Sequence, residues 1–569
     1  MPSSPAATAP PMNPLERTVS HGVVQHQLHD ADGVDELTYP QLTQAGPPTD
    51  AYLETSPSGL VLASEAESRL PPVSNSSHSR RGSGSTLVSP SGGARPIDLE
   101  KGGKEVDAKL VTFRPDDPEN PRNWSKASKW VQTAIPTLLC FLSGFASSLV
   151  TGGIPEMAAH YHVGELVMNL IVCVFVVGFG LGPLVLSPLS EMYGRKWIYI
   201  FCTWAFMLLT LPGCLTNSFA VMIIFRFFAG CAASACMCNA AGSIGDCWEI
   251  NERGYKMAAF SGILFLSPCF GPLIGGYMTM GTGWRSFWWL LFAFAGFCGL
   301  IATFFLRETY HPTILKKRAQ KLRKETGDES IMTEQERQGR SLGEIAHETL
   351  LRPLVMLATE PIMQLFAGYL ALIYSLLYSL FFAYPIVFLA HSFNAGEIGL
   401  TFLSVAIGIV IVSSVGIPLQ EKYYMGQVAK LNGGIPPPEA RLPLMMVCSI
   451  LLPISEFIFA ATSMPKVHWA GALVSGIPFG VSLVGIYVSA NTYIAVAFSK
   501  YSASAMAAKT LFRSMAGASI PMWLGPMYAS IGNLYAGITF ACISLVMAPI
   551  PFVFFFYGAK IRARSTMAS

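Results

Sequence analysis

Twelve runs of predominantly apolar residues dominate the sequence after residue 130. Each is about 20 residues long, the length of helix that crosses the hydrocarbon core of a bilayer, and lipid leaves the backbone of a lone segment no other way to satisfy its hydrogen bonds. Only 13% of the 569 residues are charged, whereas soluble proteins average about 25%. We predict membrane spans at 130–150, 166–187, 197–215, 219–241, 256–279, 287–306, 361–389, 397–418, 442–462, 469–491, 504–527 and 534–557.

The spans divide into two groups of six. They predict an all-α membrane protein with twelve transmembrane helices in two pseudo-symmetric six-helix bundles, at 128–306 and 358–557. The charged segment 307–357 is expected to be a cytoplasmic central loop. Residues 1–127 are rich in Ser, Pro and Gly and show no sustained periodicity, so they are expected to form a disordered cytoplasmic tail. Residues 558–569 form a short C-terminal tail in this scheme.

A short repeat supports two related halves. Pro-Leu-Ser-Glu at 188–191 leaves the second span, and Pro-Leu-Gln-Glu at 418–421 leaves the eighth, which is the equivalent position in the second half. Two similar halves with a site between them are typical of secondary transporters.

The distribution of Lys and Arg predicts the orientation. One set of loops carries Arg195, Lys196, Arg253 and the basic cluster of 307–355, whereas the opposite set offers little beyond Arg285. Because basic residues favour the cytoplasmic side, both termini are expected in the cytoplasm. The plasma membrane is the favoured location, with the vacuolar membrane as the alternative.

Several motifs carry a resemblance to a known family. They lie at 182–196 between spans 2 and 3, at Arg226 and Gly230 in span 4, at 271–276 in span 5, and at 117–124, 307–310 and 503–513. As a set they resemble the major facilitator superfamily, and within it the fungal twelve-span drug:proton antiporters. The resemblance implies a multidrug or secondary-metabolite efflux pump that works by alternating access and proton antiport.

The loop between spans 2 and 3 is the expected cytoplasmic gate. Glu191, Gly194, Arg195 and Lys196 place charges of both signs in one short loop, and such charges can pair with a neighbouring helix end. Asp246, directly after span 4, is the candidate partner. Orientation of the chain would explain the two basic residues but not the acid, so we favour gating.

Span 5 carries the motif that the resemblance identifies as the antiporter motif. Gly271, Gly275 and Gly276 form a small-residue face that lets helices approach closely. Pro272 removes a helix hydrogen bond and kinks the span. Helix packing alone is the alternative explanation for this pattern.

Ionisable residues inside spans are costly and are functional candidates by default. Arg226, Glu456, Lys509 and Arg513 are the candidates here. Lys509 and Arg513 are four residues apart and share a helix face, although Lys509 could instead extend towards the membrane surface. Glu456 is either a proton carrier or a partner of Arg513, and the sequence leaves both open.

Two departures from the family pattern concern the cavity. Phe382 stands where polyamine and cationic-drug members tend to have Glu, and Asn491 stands where Asp is common. With two carboxylates missing, the cavity should attract cations less. Tyr378 and Phe382 belong instead to an aromatic wall, unless these rings form only an interfacial belt. The expected substrate is an amphipathic glycolipid, a secondary metabolite, an organic acid or a xenobiotic.

These observations predict a membrane efflux transporter rather than an enzyme. Its expected partners are a small-molecule substrate, protons and the lipid bilayer. We expect no cofactor, no metal and no nucleic acid, and we expect a monomer. A polyamine or cationic-drug exporter that relies on Glu456 is the alternative within transporters. The alternative from another class is a non-transporting membrane sensor that signals through its tail.

Overall fold

The computed structural model of the chain describes residues 109–337, 342–431, 437–565 and 567. The first half contains α1 (Lys126–Leu149), α2 (Ile154–Tyr161), α3 (Glu165–Met168), α4 (Leu170–Tyr193), α5 (Arg195–Leu215), α6 (Phe219–Cys247), α7 (Ile250–Thr282) and α8 (Arg285–Phe305). The connection to the second half contains α9 (His311–Thr326), α10 (Glu334–Arg337) and α11 (Leu342–Thr359). The second half contains α12 (Pro361–Leu389), α13 (Ala395–Ile411), α14 (Met425–Leu431), α15 (Pro443–Thr462), α16 (Ala470–Ala497), α17 (Ser502–Met547) and α18 (Ile550–Arg562).

Eleven helical stretches in the described ranges are long and apolar enough to cross a membrane. The last, Ser499–Arg562, contains 64 residues, which far exceeds the about 20 that one crossing needs. Gly532 interrupts it with a φ of 80° and a ψ of 161°, between the predicted spans 504–527 and 534–557. The all-α membrane fold is confirmed, and the break at Gly532 supports a twelfth crossing.

The two halves share a packing device. In the first half α4 packs against α6, and a Cβ atom added at Gly178 or Gly230 would collide with the backbone of the other helix. In the second half α13 packs against α16, and Gly408 and Gly480 make the same reciprocal approach. Because only glycine permits such backbone contact, the pseudo-symmetry extends from the helix order to the packing of individual residues.

Residues 109–124 and 307–337 together form a folded unit, which we call the juxtamembrane lobe. Lys109–Leu110 (β1) pairs in parallel with Ile331–Met332 (β2). Val111, Ala319 and Ile331 form a small apolar core beneath this pair. The lobe shows that the predicted boundary of the disordered tail at residue 127 lies too far along the chain, and that the predicted central loop 307–357 is largely structured. Residues 1–108 of the predicted tail lie outside the described residues.

The physical reason for this correction is that polar turn formers resemble disorder in a sequence. Asp117 Oδ1 accepts a hydrogen bond from the backbone N–H of Glu119 at 2.9 Å. Asn120 Oδ1 accepts one from Arg122 N–H at 3.1 Å, and the Asn123 side chain donates to backbone carbonyls. Asn and Asp side chains stabilise turns in this way, so the same composition here builds a defined structure.

Candidate functional site

Gly194 and Glu308 fix the loop between α4 and α5. Gly194 has a φ of 95°, and a Cβ atom there would run into the Glu308 carboxylate. That carboxylate accepts hydrogen bonds from the backbone N–H groups of Arg195 at 3.0 Å and Lys196 at 3.2 Å. A carboxylate at a helix N-terminus satisfies free N–H groups and complements the helix dipole. Glu308 was not among the predicted site residues, although its motif directly after span 6 was a usable signal.

The structure brings Arg195 and Asp246 together. Arg195 Nε lies 2.9 Å from Asp246 Oδ2, and both side chains are largely buried. Arg195 Nη1 also donates to the Asn239 carbonyl at 3.1 Å, which anchors the guanidinium to α6. The contact expected for the gate is therefore present, whereas Glu191 at the end of α4 is exposed. The gating role itself stays a prediction.

The juxtamembrane lobe reaches this ion pair through His311. His311 Nδ1 lies 4.0 Å from Asp246 Oδ1. Burial, together with the nearby positive charges of Arg122 and Arg195, lowers the pKa of His311 below its usual 6.5. His311 is therefore neutral at pH 7, and Arg195 supplies the charge opposite Asp246. Burial also raises the pKa of Tyr310 to about 12, so the phenol that faces Arg195 stays protonated.

The glycines of α7 lie at close helix contacts. A Cβ at Gly271 or Gly275 would collide with α1. A Cβ at Gly276 would collide with the Ala395 carbonyl at the start of α13, which belongs to the other half. Gly399 of α13 in turn approaches the backbone of Pro272. The predicted small-residue face therefore packs α7 against its own half on one side and against the other half on the other side.

A small cavity lies between the halves. Its volume is about 20 Å³, enough for one water molecule. Residues from both halves line it, including Ser143, Ser147, Phe179, Phe265, Tyr378 and Arg513. Tyr378 is thus in the expected wall. Phe382 is half-buried, and the Oδ1 atom of Asn491 on α16 is buried without a hydrogen-bond partner.

Arg226 is held inside the first half. It is 2% exposed, and its Nη2 donates to the Ala146 carbonyl at 2.5 Å. Its Nε donates to the Ile171 carbonyl at 3.4 Å, and its guanidinium lies 4.0 Å from the centre of the Phe175 ring. These contacts join α6 to α1 and α4, so the structure gives Arg226 backbone partners from two neighbouring helices.

Arg513 and Lys509 on α17 are also buried, but they are partnered differently. Arg513 is 1% exposed and Lys509 is 4% exposed, so Lys509 does not extend to the protein surface. The guanidinium of Arg513 lies 4.6 Å from the ring centre of Tyr374 and 5.2 Å from that of Tyr487. Its Nε and Nη2 atoms are buried and have no hydrogen-bond partner.

Glu456 lies apart from this pair. It is buried on α15, and its electrostatic neighbours are Tyr384 of α12 and Tyr528 of α17. Among the ion pairs of the described residues none joins Glu456 to Arg513. Of the two alternatives open from the sequence, the structure therefore offers no support for pairing with Arg513.

Two related bundles of membrane helices with a buried cavity between them define a multi-pass membrane transporter. Residues 137–521 match the family model described as Major Facilitator Superfamily. The chain therefore belongs to the major facilitator superfamily, a family of transporters and not of enzymes.

Two sequence relatives support this membership, and a solved structure has a similar fold. The chain is 39% identical over 475 residues to the MFS-type transporter paaT of Penicillium rubens, which covers 83% of this chain and 86% of the relative. It is 37% identical to the major facilitator superfamily multidrug transporter mdrA of Aspergillus fumigatus, over 82% of this chain and 77% of the relative. The fold resembles the proton:xylose symporter XylE with a TM-score of 0.55 at 14% identity, over 76% of this chain and 97% of XylE.

Proposed function

We propose that the protein exports a small amphipathic secondary metabolite or xenobiotic across the plasma membrane in exchange for protons. The observation that carries this proposal is the cavity between the two halves, whose wall combines aromatic rings, hydroxyl groups and Arg513. A site between two rocking halves is the general arrangement of such transporters. The chain is also 37% identical to the MFS-type efflux pump MFS2 of Trichophyton rubrum, and this similarity supports export as the direction.

In this proposal the two ends of the cavity open alternately. The loop of Arg195, paired with Asp246 and capped by Glu308, closes the cytoplasmic end. At the other end, Asn169 Nδ2 donates to the Pro521 carbonyl of the opposite half at 3.0 Å, and Gly276 allows α7 to contact α13. Both sets of contacts are formed in this structure. Those of Asn169 and Gly276 join the two halves and have to break for that end to open, whereas the Arg195–Asp246 pair lies within the first half and holds the α4–α5 loop in place.

Glu456 is the proposed proton carrier. A buried carboxyl group without an ion pair can bind and release a proton without first breaking a salt bridge, and intramembrane acids commonly serve in proton relays. Each inward proton would then drive an outward movement of substrate. The termini are cytoplasmic in this scheme, as the distribution of Lys and Arg predicts.

Efflux of a neutral dye tests the proposal. Yeast cells that lack their own drug pumps would express the full chain, be loaded with Nile red and then be energised with glucose. We expect faster loss of fluorescence than in cells with empty vector, and a protonophore should abolish the difference. An efflux rate equal to that of the vector control would refute export, and efflux that is indifferent to the protonophore would refute proton coupling.

A second candidate, export of polyamines or cationic drugs, rests on the same buried acid. If Glu456 binds a cationic substrate directly, Glu456→Gln should abolish spermidine export by expressing cells. If Glu456 only carries the proton, wild-type cells should export no spermidine, and Glu456→Gln should remove the dependence of Nile red efflux on the pH gradient.

A further inference from the structure

We infer that Arg513 is the anion-binding residue of the central cavity, and that it holds a carboxylate or sulfonate group of the substrate beside Tyr374 and Tyr487. This inference rests on the proposed function, because it names the class of substrate that the cavity accepts. Among the amphipathic molecules that the cavity accepts, it predicts a preference for those that carry a negative charge.

The free edge of the guanidinium is the first argument. Nε and Nη2 of Arg513 are both buried and both lack a hydrogen-bond partner. These two nitrogens lie on one edge of the guanidinium, where their N–H groups point in parallel. A carboxylate accepts from such an edge with both oxygens, and this bidentate geometry distinguishes Arg from Lys.

Charge balance is the second argument. Lys509 lies one helical turn before Arg513 and is buried as well. In the part of the chain that the structure describes, no ion pair joins either residue to an acid. Buried charges are costly unless they are paired. Arg513 is thus a buried cation with no acid paired to it among the described residues, and an anionic ligand would supply that counter-charge.

The aromatic surroundings are the third argument. Tyr374 and Tyr487 offer their ring faces to the guanidinium, which orients its plane without occupying its N–H groups. Gly517, one turn further along α17, lets the Tyr374 ring take this position, because a Cβ at Gly517 would collide with that ring. The rings also provide an apolar surface for the body of an amphipathic anion.

Arg226, the other deeply buried arginine of the spans, has only its Nη1 atom without a hydrogen-bond partner. It is buried to a similar degree, yet its Nε and Nη2 both donate to backbone carbonyls. Arg513 has no such partners for the same two atoms. Since the cavity has room for only one water molecule, an organic anion can reach Arg513 only when the halves move apart.

Binding of two probes of equal shape tests the inference. Full-length protein in lipid nanodiscs would be titrated at pH 7 with 2-naphthoate and with neutral 2-naphthamide, and the two dissociation constants compared by calorimetry. We expect at least a tenfold preference for naphthoate in the wild type. Arg513→Gln should remove the preference, and Arg513→Lys, which keeps the charge but loses the parallel edge, should retain only part of it.

Lys500→Gln is the matched control, because Lys500 is an exposed lysine just before the same helix. It should keep the full preference. Equal affinity for both probes in the wild type, binding of neither probe, or the same loss in Lys500→Gln would overturn the inference. If Arg513→Gln does not fold, as judged by size-exclusion chromatography, Arg513→Lys still decides the matter, since an unchanged preference in that variant contradicts the bidentate site.

The Nile red assay separates this inference from the proposed function. Wild-type cells that do not export Nile red contradict the proposed function, whatever the binding results. Wild-type cells that export the dye, combined with equal affinity for the two naphthyl probes, leave export intact and contradict only the assignment of Arg513.

Discussion

Replacing Asp117 with Asn should loosen the juxtamembrane lobe. Both Nη atoms of Arg318 donate to the Asp117 carboxylate, at 2.5 and 2.9 Å, and Asp117 is 7% exposed. Hydrogen bonds to charged groups contribute about 1.5–3 kcal/mol each, but Arg318 keeps Glu119 as a second partner. We therefore expect a loss of about 1–2 kcal/mol in the local stability of the lobe, near the lower end of that range.

Hydrogen exchange measures this loss directly. The Val111 N–H donates to the Met332 carbonyl at 3.1 Å, so it exchanges when β1 separates from β2. A loss of 1–2 kcal/mol corresponds to an about 5- to 30-fold faster exchange in the peptide that contains Val111. Asp116→Asn is the control, because Asp116 is exposed. Equal exchange rates in Asp117→Asn and Asp116→Asn would show that the Arg318 contact does not hold the lobe together.

The pH dependence has a definite sign. The hydrogen bond from Arg318 lowers the pKa of Asp117 below its usual 3.8. A group whose pKa is lowered by folding stabilises the fold at every pH above its unfolded pKa, and this contribution is lost as the pH falls through the folded pKa. The lobe should therefore keep the full contribution of Asp117 at pH 5 to 7, and should lose it only below pH 3.8.

Three further predictions concern export. Gly194→Ala should reduce Nile red efflux at equal surface expression, because it places a side chain at a positive φ and against Glu308. The expected cost in stability is about 1–3 kcal/mol. Gly164→Ala is the control and should leave efflux unchanged, because a Cβ there meets open space. Gly276→Ala should slow efflux by separating α7 from α13, whereas Gly281→Ala, in open space near the end of the same helix, should not. Deletion of residues 1–108 should leave efflux unchanged, and loss of the cellular phenotype with intact dye export would instead support a sensor.

Spans and loop motifs could be predicted because each depends on local sequence. The thickness of the bilayer sets the length of a span, so hydropathy alone locates the helices, although several predicted ends differ from the structure by about six residues. The pairing of Arg195 with Asp246 could also be predicted from the sequence, since a short charged loop has few helix ends within reach. The break at Gly532 lies in the gap predicted between spans 504–527 and 534–557, although the glycine itself was not singled out.

The capping role of Glu308 and the folding of the juxtamembrane lobe depend on contacts between distant parts of the chain. Glu308 caps a helix that begins more than a hundred residues earlier; the motif at 307–310 marks the residue but does not identify the helix that it caps. The partner of Asp117 is Arg318, which lies 201 residues further on. When the distant partner is unknown, a segment rich in Pro, Asp and Asn is equally compatible with an ordered turn and with disorder.

The buried charges of the spans look alike in the sequence but differ in the structure. Arg226 donates from Nε and Nη2 to carbonyls of α4 and α1, so its removal should weaken the packing of the first half. Arg513 keeps one edge open beside the cavity, so its removal should change which molecules bind. Glu456 lies in the same half as Arg513 but makes no ion pair with it, and in the proposed function this separation lets one residue hold a proton while the other holds an anion. In the proposed exchange of protons for anions, separate residues avoid competition, because an acid paired with Arg513 would occupy the site that the substrate has to enter.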